Sequence, residues 1–167
     1  MVQTTSQPLF ALMAENLMSR DVITLPLDMP LADAARVLER FHIGGAPVVD
    51  AQGRCIGAFA TVDFLRQTQP GNRTAHMPPS VPGCACSEWK ILDADDGDNF
   101  SADAVKHYMT ADPIVAAPTT PIGELAETMA NAHIHRLIVV DADRRPIGIV
   151  SSGDVLAAVA RIAREQA

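Results

Sequence analysis

The chain has 167 residues, of which 48% are apolar and 4% aromatic, enough for one domain, or two small intimate ones, around an aliphatic core. Its net charge is −7, from 13 basic and 20 acidic residues. That argues against general nucleic-acid binding, which needs a basic stripe, but not against a small anion held by a few local donors.

In chain order, Pro8 to Met18 reads as a short helix with Leu9, Leu12, Met13 and Leu17 on one side. Asp21-Val22-Ile23-Thr24 follows as a brief extended segment. Pro30 then opens an amphipathic helix, with Leu31, Ala34, Ala35, Leu38 and Phe41 as its stripe and Gly44-Gly45 as its stop. Ala46-Pro47-Val48-Val49 reads as a strand, Asp50 to Arg54 as a turn, and Ile56 to Phe59 as a second strand. A further helix starts near Thr61-Val62-Asp63 and must end by Pro70-Gly71.

After about thirty intervening residues the pattern starts again at a constant offset of 91, without a gap. Between Met18 and Arg66, 16 of 49 positions are identical to their counterparts, against roughly three or four expected from average composition. The pairs include Met18/Met109, Pro30/Pro121, His42/His133, Val48/Val139, Asp50/Asp141, Gly57/Gly148 and Asp63/Asp154. Thr120 as cap, Pro121 at the first turn and the stripe Ile122, Leu125, Ala126 and Met129 repeat the first helix. Arg136 to Val140 and Ile147 to Val150 repeat the strands. The chain is an internal duplication. Each copy reads strand, helix, strand, strand, helix, and is too small to bury its own sheet face well. Two copies packed about a pseudo-twofold axis solve that, giving a mixed α/β fold divided as 8–69, a loop or linker at 70–100, and 101–167.

Candidate chemistry concentrates at Gly148-Ile149-Val150-Ser151-Ser152-Gly153-Asp154, where a buried strand runs almost directly into a helix. The first-turn N–H groups of such a corner favour an anion, and a carboxylate suits the vicinal hydroxyls of a ribose. The same residues also satisfy a simpler role, with Ser151 or Ser152 capping the helix and Asp154 favouring its positive end.

Taken together, the duplicated motifs resemble a tandem of cystathionine-β-synthase (CBS) domains. The carrying residues are Tyr108-Met109-Thr110, Pro121-Ile122, His135 to Asp141 and Gly148 to Asp154, with Leu17-Met18-Ser19, Pro30-Leu31, Gly44 to Asp50 and Gly57 to Asp63 in the first copy. The resemblance spans roughly 14–67 and 105–160. It implies a unit that often dimerises, with clefts between copies that often bind adenine nucleotides or related adenosyl ligands and report them to another protein.

By this resemblance the second copy keeps the hydroxyl and ribose-binding carboxylate as Ser151 and Asp154, and the phosphate-contacting pair as His135 and Arg136. The first copy keeps Asp63, but Ala60 stands where Ser151 would be, leaving Thr61 as a substitute, and Gly44-Gly45 replace the basic pair. The implied adenine walls are Ile23 and Thr24, Ile114 and Val115, and Ile43, Gly44, Gly45 and Ala46. The cleft of Ser151, Asp154 and His135, walled by the first copy, is the better equipped.

The remaining signals are less specific. His76, Cys84, Cys86 and Glu88 are zinc-compatible in type, but Cys-x-Cys lacks paired spacing, so no metal is assigned. Asp93 to Asp98 misses the EF-hand register and reads as a solvated acidic turn. Trp89 reads as an anchor for its loop, and His42 and His133 as helix-end caps. No catalytic set has convincing spacing, so an enzyme is not expected. No apolar run approaches the roughly eighteen residues of a membrane span, and no export signal is visible. Three cysteines then fit reduced thiols in the cytoplasm. The expectation is a stand-alone, homodimeric regulator that needs no cofactor. It binds AMP, ADP, ATP or S-adenosylmethionine and acts on a protein target in trans. The alternatives are a ligand-free oligomerisation or interaction module, and a thiol- or metal-responsive protein acting through Cys84 and Cys86.

Overall fold

The computed structural model describes residues 9–61 and 103–165. The first copy contributes α1 (Ala14–Leu17), β1 (Leu25–Pro26), α2 (Leu31–Arg40), β2 (Gly45–Val49) and β3 (Cys55–Ala60). The second contributes β4 (Thr110–Ala111), β5 (Val115–Ala116), α3 (Ile122–Asn131), β6 (Arg136–Val140), β7 (Pro146–Ser151) and α4 (Ser152–Glu165). Two sheets result, ordered β1-β2-β3-β4 and β5-β6-β7.

The duplication is preserved in the backbone. Gly45 pairs with Ala60 and Arg136 with Ser151, Val48 with Gly57 and Val139 with Gly148, and both hairpins carry a bulge at the same place. Alternation along the strands sets the layers. Ala46, Val48 and Phe59 face a core completed by Leu31, Ala34 and Leu38 of α2, as Leu137, Val139 and Val150 do beside Leu125 and Met129 of α3. Cys55, Ile138 and Val140, with Ala58 and Val115, form a smaller cluster joining the two sheets.

The copies exchange their leading segments. Ala14 and Met18 are buried in the core of the second copy, while Val105 is buried in that of the first. Strand β4 pairs with β3, and Ser19 makes the corresponding contact with Ile149, each donating an N–H to the other's carbonyl at 2.9 and 3.0 Å. Gly148 lies against Met18 and Gly57 against Met109, so both glycines are places where only hydrogen leaves room for a sulfur.

Several local expectations change. The leading segment is a 3-10 turn at Leu9–Ala11 followed by α1, not one helix. Asp21 to Thr24 carries no strand, because β1 forms at Leu25–Pro26, where the backbone can pair with Val48 and Val49. Phe41 lies outside α2 and is 48% exposed. The helix ends before Gly44-Gly45: His42 adopts φ 52°, its N–H reaching Glu39 and that of Ile43 reaching Leu38. His133, at φ 53°, closes α3 in the same way. These are Schellman ends, so the backbone satisfies the last carbonyls and both imidazole-bearing residues are exposed. Pro30 and Pro121 are themselves the N-caps, and Thr120 accepts from the Ala117 N–H at 3.0 Å instead of capping α3. His76, Cys84, Cys86, Glu88, Trp89, Asp93 to Asp98, Asp63 and the end of the helix beginning at Thr61 lie outside the described residues.

Candidate functional site at the strand–helix corners

Ser151 ends β7 and Ser152 begins α4. The Ser151 hydroxyl donates to Asp154 Oδ2 at 2.6 Å, the Ser151 N–H donates to the same oxygen at 2.7 Å, and the Asp154 N–H reaches Ser151 Oγ at 3.2 Å. This is a reciprocal capping box, with Asp in the place usually taken by Glu. Both bonds accepted by the carboxylate fall on Oδ2. Among the described residues Oδ1 has no protein partner, and the side chain is half-buried. The simpler role read from the sequence is therefore present, and one oxygen remains for a further donor.

The corner is tied to the preceding strand because the Ser152 N–H donates to His135 O at 2.9 Å. In the first copy the Thr61 N–H reaches Gly44 O at 3.1 Å, and the Thr61 hydroxyl turns to the same carbonyl at 3.4 Å. Thr61 thus spends its hydroxyl on a backbone acceptor, unlike Ser151, and does not reproduce the capping box with its own hydroxyl.

The proposed phosphate contacts divide. His135 and Arg136 are exposed, and the Arg136 backbone lies opposite Ser151 in the ladder. Its guanidinium, however, crosses to the other copy. A Cβ placed on Gly44 would sit 3.1 Å from Arg136 Nη1 and 3.9 Å from Cζ. Gly45 is held small for another reason, since a Cβ there would be 3.0 Å from Phe59 O and 3.1 Å from Ala60 Cβ. Sequence reasoning read the two glycines as a missing basic pair. The structure makes one of them the seat of the opposite copy's arginine, a complementarity whose only sequence trace is the pairing of Gly45 with Arg136 at the repeat offset.

The apolar wall residues also divide. Ile43 packs against the first-copy core and Ala46 is 5% exposed within it, because strand alternation turns Ala46 toward α2. Val115 joins the seam between sheets, Ile114 is 49% exposed, and Ile23 and Thr24 are half-buried.

A cavity of about 330 Å³ lies at the opposite, hairpin end of the strands, lined by Arg54, Cys55, Ile56, Asp112 and Arg144. Arg54 pairs with Asp50 at 2.7 Å and Arg144 with Asp112 at 3.2 Å, so its cations are already engaged. The Cys55 thiol is pushed up by burial, which outweighs the lowering effects of the Gly57 backbone and the nearby Arg144 charge. The Arg54 N–H holds the Asp50 carboxyl below its usual range, aided against desolvation by the Arg54 side chain, the Gln52 N–H and the Arg54 charge. These features brace the hairpin, so the cavity is not assigned to an adenosyl ligand. Among the described residues no group of three or more His, Cys, Asp or Glu is placed to hold a metal, and no helix is long and apolar enough to cross a membrane.

Two interlocked α/β repeats with paired strand–helix corners define a tandem-repeat module. A family model for the CBS domain matches residues 14–68 and 105–161, and the chain belongs to the CBS domain family. It is 28% identical over 156 residues to the uncharacterized protein MJ1426 of Methanocaldococcus jannaschii, covering 87% of this chain and 92% of that one. It is also 28% identical to the chloroplastic CBS domain-containing protein CBSX2 of Arabidopsis thaliana over 80% of this chain, spanning 56% of the relative. The crystal structure of CBSX2 in complex with AMP superposes with a TM-score of 0.67 at 23% identity, over 91% of this chain and 98% of that one. The CBS domain pair of MJ0100, in complex with 5′-methylthioadenosine and S-adenosyl-L-methionine, gives a TM-score of 0.65 at 22% identity, over 89% and 99%.

Proposed function

We propose that this chain is a regulatory module that binds an adenosine-containing ligand between its repeats and passes the occupied state to another protein. The observation that carries the reading is the Asp154 corner: a half-buried carboxylate held by its capping box through Oδ2, with Oδ1 left for a ribose hydroxyl. The similar folds found with AMP and with S-adenosyl-L-methionine support the ligand class. The module works as a cytoplasmic homodimer of the 8–69 and 101–167 repeats joined by 70–100, without a catalytic role of its own. Ligand bridging the copies favours one relative packing over another and so alters the surface offered to a partner. A second reading, a ligand-free interaction module, is favoured by the apolar side chains that α4 leaves outward, Leu156 at 68% and Val159 at 43% exposure.

Calorimetric titration with AMP, ADP, ATP and S-adenosylmethionine tests the choice. One carboxylate–hydroxyl bond to a buried ligand is worth about 1.5–3 kcal/mol, so Asp154→Ala should cost about tenfold to a hundredfold in affinity. Saturable binding indifferent to Asp154→Ala would overturn the site, and no binding of any of the four would favour the interaction module.

A further inference from the structure

We propose that the cavity at the hairpin end of the strands is a second ligand site, which holds a small phosphorylated anion between Arg54 of the first copy and Arg144 of the second. The cavity, about 330 Å³, is lined by Arg54, Cys55, Ile56, Asp112 and Arg144. Two backbone bonds between the copies fix its walls: the Cys55 N–H donates to Arg144 O at 2.7 Å, and the Asp112 N–H to Ile56 O at 3.1 Å. Among the described residues four besides glycine have a positive φ, and two of them line this cavity, Asp112 at 49° and Arg144 at 60°. The other two, His42 and His133, close helices. At the repeat offset the counterpart of Arg144 is Gly53, at φ 78°. One copy thus fills this turn with the residue that suits a left-handed backbone, and the other keeps an arginine there at a conformational cost.

The donors fit a phosphate. Among the described residues Arg54 spends Nε and Nη2 on Asp50, leaving Nη1. Arg144 spends only Nη2, on Asp112 at 3.2 Å, leaving Nε and Nη1. The side chains of that second pair are 51% and 87% exposed, and an ion pair so open to water and salt is weak, so a dianion can displace the Asp112 carboxylate. Both guanidiniums then offer their remaining N–H donors to the phosphate oxygens. Cys55 and Ile56 add an apolar lining for a short carbon chain. The repeat does not supply a second such site: Pro146 stands for Cys55 without an N–H, and Gly53 stands for Arg144 without a guanidinium. The site lies at the opposite end of the strands from Ser151 and Asp154 and does not depend on the adenosyl reading.

Amide NMR titration of the full isotope-labelled chain, at constant ionic strength, with inorganic phosphate and separately with glycerol phosphate tests the site. We expect saturable shifts at the amides of Cys55, Ile56, Asp112 and Arg144, with the ester the tighter ligand. Arg144→Gly should weaken binding about tenfold to a hundredfold. The turn should survive that change, because Gly53 already makes it in the other copy. Asp112→Asn removes the competing carboxylate and should strengthen binding, by up to about fivefold. Should inorganic phosphate bind as tightly as the ester, with the same response to both variants, the inference stands with the free ion as ligand. No saturable shift with either probe, shifts confined to Arg136 and Ser152, indifference to Arg144→Gly, or weakening by Asp112→Asn overturns it.

Discussion

The exchange of leading segments can be tested at Gly148. A methyl group added there would meet the Met18 sulfur directly and lie 2.7 Å from Met18 Cγ and 2.9 Å from Met18 Cβ. Those carbons belong to a side chain that is 9% exposed inside the second-copy core, and the backbone on either side is held by the Ser19–Ile149 hydrogen bonds. The sulfur cannot swing into solvent without vacating that core, so Gly148→Ala should cost about 1–3 kcal/mol by overpacking. For a chain of this length that is a fall in Tm of roughly 2–12 °C. Met18→Ala should itself cost about 2–5 kcal/mol through the cavity it leaves. In its background the added methyl has space to occupy, so the penalty of Gly148→Ala should largely vanish. The double-mutant cycle should return a compensating coupling of about 1–3 kcal/mol from urea unfolding of the four proteins. Additive losses would show that Met18 does not rest on Gly148 and would refute the interlocked arrangement.

Three further outcomes follow from the same contacts. A fragment ending at Gln69 lacks Val105, Met109 and the β4 strand that complete its core and sheet, so circular dichroism should show no cooperative unfolding; a well-folded monomer would contradict the exchange. The folded-state pKa of Asp50 is depressed, so its contribution is present above the unfolded carboxyl pKa and is lost as pH falls through the folded one. The stability gap between the parent and Asp50→Ala should accordingly narrow from pH 7 to pH 3, and a constant gap would count against the Asp50–Arg54 brace. Cys55 has a raised pKa, so its favourable contribution is complete below the unfolded thiol pKa and is lost as pH rises through the folded one. In a Cys84→Ser, Cys86→Ser background Cys55 should react with a chromogenic disulfide only after denaturation; rapid labelling of the native protein would contradict its burial.

Much of the fold is written locally. The apolar spacing of Leu31, Ala34 and Leu38, the alternation in Ala46 to Val49, and the turn Asp50 to Arg54 each act over a few residues, and the 91-residue offset copies them. Their pairings therefore recur in register in both hairpins. What local pattern could not show was where short-range competition is close. Pro30 and Pro121 took the cap positions, and His42 and His133 closed their helices through a left-handed backbone conformation, an outcome invisible in residue type. The same limit applies at Asp154. Capping and ribose binding ask for the same residue at the same place, and only the bond geometry separates an occupied Oδ2 from an open Oδ1.

By itself the sequence determined the duplication, the central helix and hairpin of each copy and the corner at Ser151 and Asp154, because periodicity, turn chemistry and capping depend on near neighbours. Only the tertiary structure decided that the leading segments cross between copies and that Arg136 rests on Gly44. Those contacts join residues far apart in the chain, and their physical cause is space: a sulfur over Gly148, another over Gly57, and a guanidinium over Gly44 each occupy room that a side chain would have closed.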